Sequence, residues 1–143
     1  MTTAPTVIKS EPIHDNRIGI THHDAGRTTR YFYVTGDLTN WCQTSGITDV
    51  TELNEQTDDA TKQFVSTLLA IRGVSQIIWL EKNRLILQIN PMFLWEQIQD
   101  QVLAAIHMRL GWTTDNTTVL SYEDFSKLAR QHDAETLPVS HLG

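Results

Sequence analysis

The sequence predicts an α+β fold: a small, mostly antiparallel sheet with two helices packed on one face and a short third helix near the C-terminal end. Three observations carry this expectation. Ala60, Phe64, Leu68 and Ile71 recur at spacings of four, four and three, with Val65 and Leu69 widening the stripe; that is the apolar face of a helix. Leu94, Ile98, Val102, Ala105 and Ile106 trace a second such face, with Trp95 beside it. Between the two, Val74 to Leu80 and Arg84 to Ile89 are rich in Ile, Leu and Trp and flank the short polar run Glu81-Lys82-Asn83, which reads as a β-hairpin with a three-residue loop.

In chain order, residues 1–28 mix Pro, Thr, His and charges without a sustained period and read as an N-terminal arm. Ile18 and Ile20 alternate with Gly19 there and admit a short edge strand. Arg30 to Thr35 is aromatic and β-branched, the composition that suits a pleated, half-buried surface, and Gly36-Asp37 ends it. A weaker strand is expected around Ile47 to Val50.

The first helix is placed over residues 58–72. Thr57, Asp58 or Asp59 can cap it by offering an oxygen to free backbone N–H groups, and Gly73 stands where a left-handed C-terminal residue belongs. On the second hairpin strand Leu85, Leu87 and Ile89 share one face, while Arg84, Ile86 and Gln88 share the other. One face is therefore buried and the other half-wet. Asn90 and Pro91 read as cap and first residue of the second helix, which Gly111 closes. Thr113 to Thr118 reads as a polar loop. Ser121 and Asp124 make an acid-variant capping box, and Leu120 and Phe125 stand at the positions of a hydrophobic staple. The third helix is expected over about 122–133, ending before Pro138, within an extension covering 112–143.

Bulk properties narrow the function. The chain of 143 residues is 40% apolar and 20% charged, enough for one domain that buries roughly 70% of its unfolded surface. Eleven basic against seventeen acidic residues leave a net charge of −6. Nucleic-acid binding rests on neutralising phosphates with a basic stripe, which this sequence lacks, so no nucleic-acid partner is expected. The apolar runs are far shorter than a membrane span, and the first residues lack the apolar core of a signal peptide. A single cysteine, Cys42, permits no intrachain disulfide. A cytoplasmic protein is the expectation.

Catalytic signals are weak. There is no P-loop, CxxC, HExxH or GxSxG. His22-His23-Asp24 groups three potential ligands, but neighbouring residues of an extended chain point to opposite faces, and a solvated loop is the better reading. Cys42 follows Trp41 in a polar stretch with no marked base to activate a thiol. No enzyme, metal site or cofactor is expected. A metal-dependent hydrolase built on His22, His23 and Asp24 is the enzyme alternative.

From about Tyr31 to Leu110 the pattern resembles the N-terminal domain of Nfu/NifU-like iron–sulfur scaffold proteins. The stretch ATKQFVSTLLAIRGVSQIIWLEKNRLILQI carries it, followed by Trp95 and the helix through Ile106. Ile71, Gly73, Val74, Ile77, Leu85, Ile89, Trp95, Ile98 and Ile106 fall where that family has a helix ending before Gly-Val, an Ile/Val-rich hairpin, and a Trp opening the last helix. The resemblance implies an Nfu-N-like domain over 29–111, with two helices on one face of a mostly antiparallel sheet. The family's Pro-Asn-Pro element does not precede Tyr31, and its cluster ligands belong to a CxxC domain that this sequence does not contain. Clusters usually need four protein ligands, mostly thiolates, so contact with a protein partner, rather than cluster holding, is what the resemblance would carry over.

The expected function is a non-catalytic interaction domain, an adaptor related to iron–sulfur cluster assembly. A phage- or mobile-element-encoded inhibitor or regulator of a host protein is the alternative. Two features are candidates for partner binding. Asp49, Glu52, Glu55, Asp58 and Asp59 precede the next base, Lys62; they suit a solvated lead-in to a helix N-terminus or a docking edge for a basic protein surface. Trp79, Trp95 and Trp112 are expected in the core, and an exposed member, Trp79 above all, would anchor a partner.

Overall fold

The computed structural model describes residues 14–21, 27–39 and 43–136. Among these residues six strands, β1 (Asn16–Ile20), β2 (Thr29–Val34), β3 (Gln43–Ile47), β4 (Val74–Glu81), β5 (Arg84–Ile89) and β6 (Thr117–Ser121), accompany three helices, α1 (Asp59–Leu69), α2 (Trp95–Leu110) and α3 (Tyr122–Thr136). One sheet runs in the order β3-β4-β5-β2-β1-β6. Every pairing is antiparallel except β1 with β6. The α+β architecture stands, and the sheet is larger than expected.

Alternation explains the inner face. Ile18 and Ile20 of β1, Phe32 and Val34 of β2, and Leu85, Leu87 and Ile89 of β5 are all buried. They meet Phe64, Val65 and Leu68 of α1 and Ile98, Val102, Ala105 and Ile106 of α2 in one core. Strand β4 needs a bulge to contribute. Ile77 faces Leu87 and Trp79 faces Ile86, so one extra residue is inserted between them. Ile77 and Leu80, three apart, are thereby both fully buried, while Trp79 turns to the other face.

The outer strands overturn two expectations. The segment read as an arm supplies β1, which lies between β2 and β6 rather than at an edge. The polar run after Thr113 is a loop only in part. Asn116 accepts from the Thr113 N–H in a short 3-10 turn, and the chain then pairs Thr117 to Ser121 with β1 as the edge strand β6. The boundaries expected at residues 28 and 112 therefore cut through one sheet.

Helix ends show smaller differences. α1 stops at Leu69, and the chain tightens through Ala70 and Ile71, whose N–H reaches only to the Leu68 carbonyl. Gly73 then adopts φ +101°, and a Cβ there would stand within 3 Å of Ile98 and Phe93; both facts require glycine. Asn90 does not cap α2. Its side chain accepts from the Met92 N–H and its carbonyl from the Phe93 N–H, closing a separate turn, and α2 begins at Trp95, where Gln97 reaches back to the Leu94 N–H. Gly111 ends α2 in the left-handed conformation as expected. The hairpin connection is Lys82-Asn83, two residues rather than three. The weak strand expected at residues 47–50 lies earlier, at β3, and Val50–Glu52 forms a 3-10 turn.

Candidate protein-binding face

α3 packs on the face of the sheet opposite α1 and α2. Its N-cap is Ser121, whose hydroxyl accepts from the Asp124 N–H at 3.2 Å, the side-chain half of the expected box. Phe125 lies directly over Gly19, where any Cβ would meet the ring within 3 Å. The glycine between two buried isoleucines is thus the seat of a helix. Tyr33 of β2 completes the seat, with its ring 4.4 Å from that of Tyr122 and 6.2 Å from that of Phe125. Burial holds the Tyr33 phenol above its ordinary range, and Tyr122 adds to this.

Beyond Tyr33 this face is open: among the described residues no helix covers β5, β4 and β3 on that side. Its centre is Ile86, whose register partners are Tyr31 on β2 and Trp79 on β4. Ile86 is buried beneath half-buried neighbours. Arg84 lies over the Trp79 ring, its guanidinium carbon 5.2 Å from the centroid. Glu81 accepts from Arg84 at 2.7 and 3.0 Å and also from the Trp79 indole N–H. Trp79 is therefore held by its face and by its edge, a cation–π contact and a hydrogen bond acting on one ring. Tyr31 and Tyr33 stack at 6.3 Å, and the Gln76 and Gln88 amides hydrogen-bond across the strands. The result is a platform of aromatic, guanidinium and amide groups held in place by contacts within the sheet face.

The acidic candidates lie elsewhere. Asp49 and Glu52 build the 3-10 turn at Val50–Glu52. Asp49 accepts from the Thr51 N–H and hydroxyl, both at 2.9 Å, and Glu52 from the Thr48 and Asp49 N–H groups at 2.6 and 3.0 Å. Those bonds, chiefly to backbone N–H, hold both carboxyls below the ordinary range. Asp58 stands at the N-cap of α1 and is likewise lowered, first by the Thr61 hydroxyl. Asp59 opens the first turn of α1, and Glu55 is exposed in the loop before it. Leu53 joins the core from this connector, and Thr57 is buried as well. The carboxylates thus belong to the helical side of the molecule, and Trp79 to the opposite face; they are two surfaces.

Of the other tryptophans, Trp95 is buried against Phe32 at 5.8 Å and Trp112 packs half-buried at the core's margin. His22, His23, Asp24 and Cys42 lie outside the described residues. Among the described residues no three His, Cys, Asp or Glu side chains converge as a metal site would require, and no helix is long and apolar enough to cross a membrane. Comparison of the chain with protein-family models, with curated proteins and with solved structures gives no match.

Proposed function

We propose that this chain is a non-catalytic protein-binding domain that contacts its partner through the open half of the outer sheet face. The carrying observation is the Trp79–Arg84–Glu81 cluster, with Ile86 between Trp79 and Tyr31. Trp, Tyr and Arg dominate binding hot spots when pinned in well-packed surroundings, and here Trp79 is pinned on two sides. The Arg84 charge is answered by Glu81, so the platform asks for an apolar or aromatic side chain at its centre rather than for an anion. Asp49, Glu52, Glu55, Asp58 and Asp59 form a second, electrostatic contact for a basic surface, which steers association more than it holds the complex.

On the resemblance to Nfu N-terminal domains, the partner is a component of iron–sulfur cluster assembly, and this chain is a cytoplasmic adaptor without a cofactor of its own. The positions behind that resemblance are mainly core positions, Ile77, Leu85, Ile89, Trp95, Ile98 and Ile106 among them, so they speak to packing and not to partner choice.

Affinity capture from the native cell, with wild type and Trp79→Ala side by side, tests the proposal. A partner retained by wild type and lost by at least roughly tenfold with Trp79→Ala is expected, since hot-spot truncations cost about 2 kcal/mol or more. Equal capture by both proteins sinks the reading. If the captured partners include no cluster-assembly component, the adaptor reading falls while the binding face survives. Purified chain treated with iron and sulfide under anaerobic conditions is expected to stay colourless, and Cys42→Ser to behave as wild type.

A further inference from the structure

The outward surface between α1 and α2 has an unusual charge pattern for this chain. Helical spacing puts Ala60, Gln63 and Thr67 of α1 on the flank facing α2, and Gln97, Gln101 and Met108 of α2 on the flank facing α1. None of the six is charged, although the chain carries a net charge of −6. The acids of α2, Glu96 and Asp100, lie on its other flank, toward Arg30. At one end of the trough a slot of about 150 Å³ opens over Phe64, walled by the small residues Ala60 and Ala105. Arg109 borders it, but its Nε–H is spent on the Leu38 carbonyl at 2.9 Å and its charge faces Asp58. A space of this volume takes one benzene-sized group. Met108 stands at its rim, 71% exposed.

A large apolar side chain and a slot that fits such a side chain therefore occur in the same patch. We propose that the occupant is a second copy of this chain, docked about a two-fold axis so that Met108 of each copy enters the slot of the other. A two-fold interface sets a surface against itself, and in an acidic protein an uncharged surface is the simplest one to do so without like-charge repulsion. Amides suit it further: Gln63 can both donate and accept, while Gln97, whose Oε1 accepts from the Leu94 N–H, keeps its N–H donors, and Gln101, which gives one N–H to the Gln97 carbonyl, keeps its carbonyl oxygen. Methionine's flexible thioether adapts to an imperfect slot. This surface is separate from the Trp79 face, and the inference does not rest on the partner-binding reading.

Sedimentation equilibrium of the full chain over a range of concentrations is the test. Wild type is expected to move from 16.3 kDa toward twice that mass as concentration rises. Met108→Glu puts a carboxylate where the slot takes an apolar side chain and is expected to weaken self-association at least roughly tenfold, with an unchanged circular-dichroism melt at concentrations where both proteins are monomeric, because the residue is exposed. Gln101→Glu provides the same reading at a second position, and Trp79→Ala is expected to associate as wild type does. The inference is overturned if wild type stays at 16.3 kDa throughout, if both charged variants associate like wild type, or if Trp79→Ala is the change that abolishes association. A monomeric chain that instead binds a foreign amphipathic helix in the trough also overturns it.

Discussion

The two faces of the sheet come from the same strands, and they have different compositions and different coverings. Inward, β1, β2 and β5 present Ile18, Ile20, Phe32, Val34, Leu85, Leu87 and Ile89, nearly all aliphatic, and two helices seal them. Outward, the residues between them are Gly19, Tyr31, Tyr33, Arg84, Ile86 and Gln88, and α3 covers only the β1 end. Aliphatic side chains gain stability by leaving water. Tyr, Trp and Arg tolerate half-burial because each has an apolar body and a polar tip. The inner face therefore decides whether the chain folds, and the outer face is the surface on which the proposed contact lies.

The largest expected effect falls on the inner face. Leu68 is completely buried between α1 and the sheet, and Leu68→Ala is expected to cost about 2–5 kcal/mol, the transfer term plus the cavity left behind. Urea denaturation measures it. A loss below about half a kcal/mol breaks the contrast, because the inner face would then tolerate a void. Gly19→Ala tests the junction where the faces meet. Its methyl would overlap the Phe125 ring, so either α3 lifts away or the strand shifts, at about 1–3 kcal/mol. If instead stability is unchanged, α3 is a loose cover and the open face extends further than Tyr33.

Acid and alkali separate the layers. Burial lowers the pKa of His107 on α2, so its contribution is complete above about pH 6.5 and declines as pH falls from there toward the folded value, because the unfolded chain takes the proton first. Tyr33, on the outer face, is shifted upward by burial and by Tyr122. Its contribution is complete below about pH 10 and is lost as pH rises through the folded value. Thermal midpoints measured across pH should fall at both ends. His107→Asn should flatten the first stage of the acid limb and Tyr33→Phe the alkaline limb. Exchange of these assignments between the variants would contradict the placement of the two groups.

Where the sequence was legible, period and burial agreed. The stripe Phe64, Leu68, Ile71 and the alternation Leu85, Leu87, Ile89 each report a face that meets one uniform environment, and each is buried. The half-wet set Arg84, Ile86 and Gln88 was equally visible, because a tight hairpin fixes which residues share a side. β1 and β6 were not visible as a pair. Their bond is parallel and spans about a hundred residues, and Thr117-Thr118 is too polar to announce a strand until Ile18 lies beside it. Gly19 carried a signal that reads correctly only once Phe125 is known to sit on it. Trp79 was named as a candidate anchor, but its face was not readable, since strict alternation places it with Ile77 and the β4 bulge turns it to the other side. The acidic run was plain as charge, but not that Asp49 and Glu52 would be consumed in building a turn.

That division within the acidic connector yields the smallest and most discriminating prediction. Glu52 accepts hydrogen bonds from the backbone at Thr48 and Asp49, whereas Glu55 is simply exposed. Glu55→Lys is expected to leave stability within about half a kcal/mol, as surface changes usually do. Glu52→Lys removes the acceptor that closes the Val50–Glu52 turn, so amide hydrogen exchange at Thr48, Asp49 and Thr51 should quicken in that variant and not in the other. Because the Asp49 and Glu52 carboxyls are held below their usual range, the turn should also loosen in wild type as pH falls below about 4. Partner capture then separates structure from docking. A docking edge responds to charge wherever it lies along the connector, so both reversals should weaken capture at low salt, and added salt should narrow the gap to wild type. If Glu55→Lys captures the partner as wild type does, the carboxylates only shape the chain, and recognition belongs to the face around Trp79.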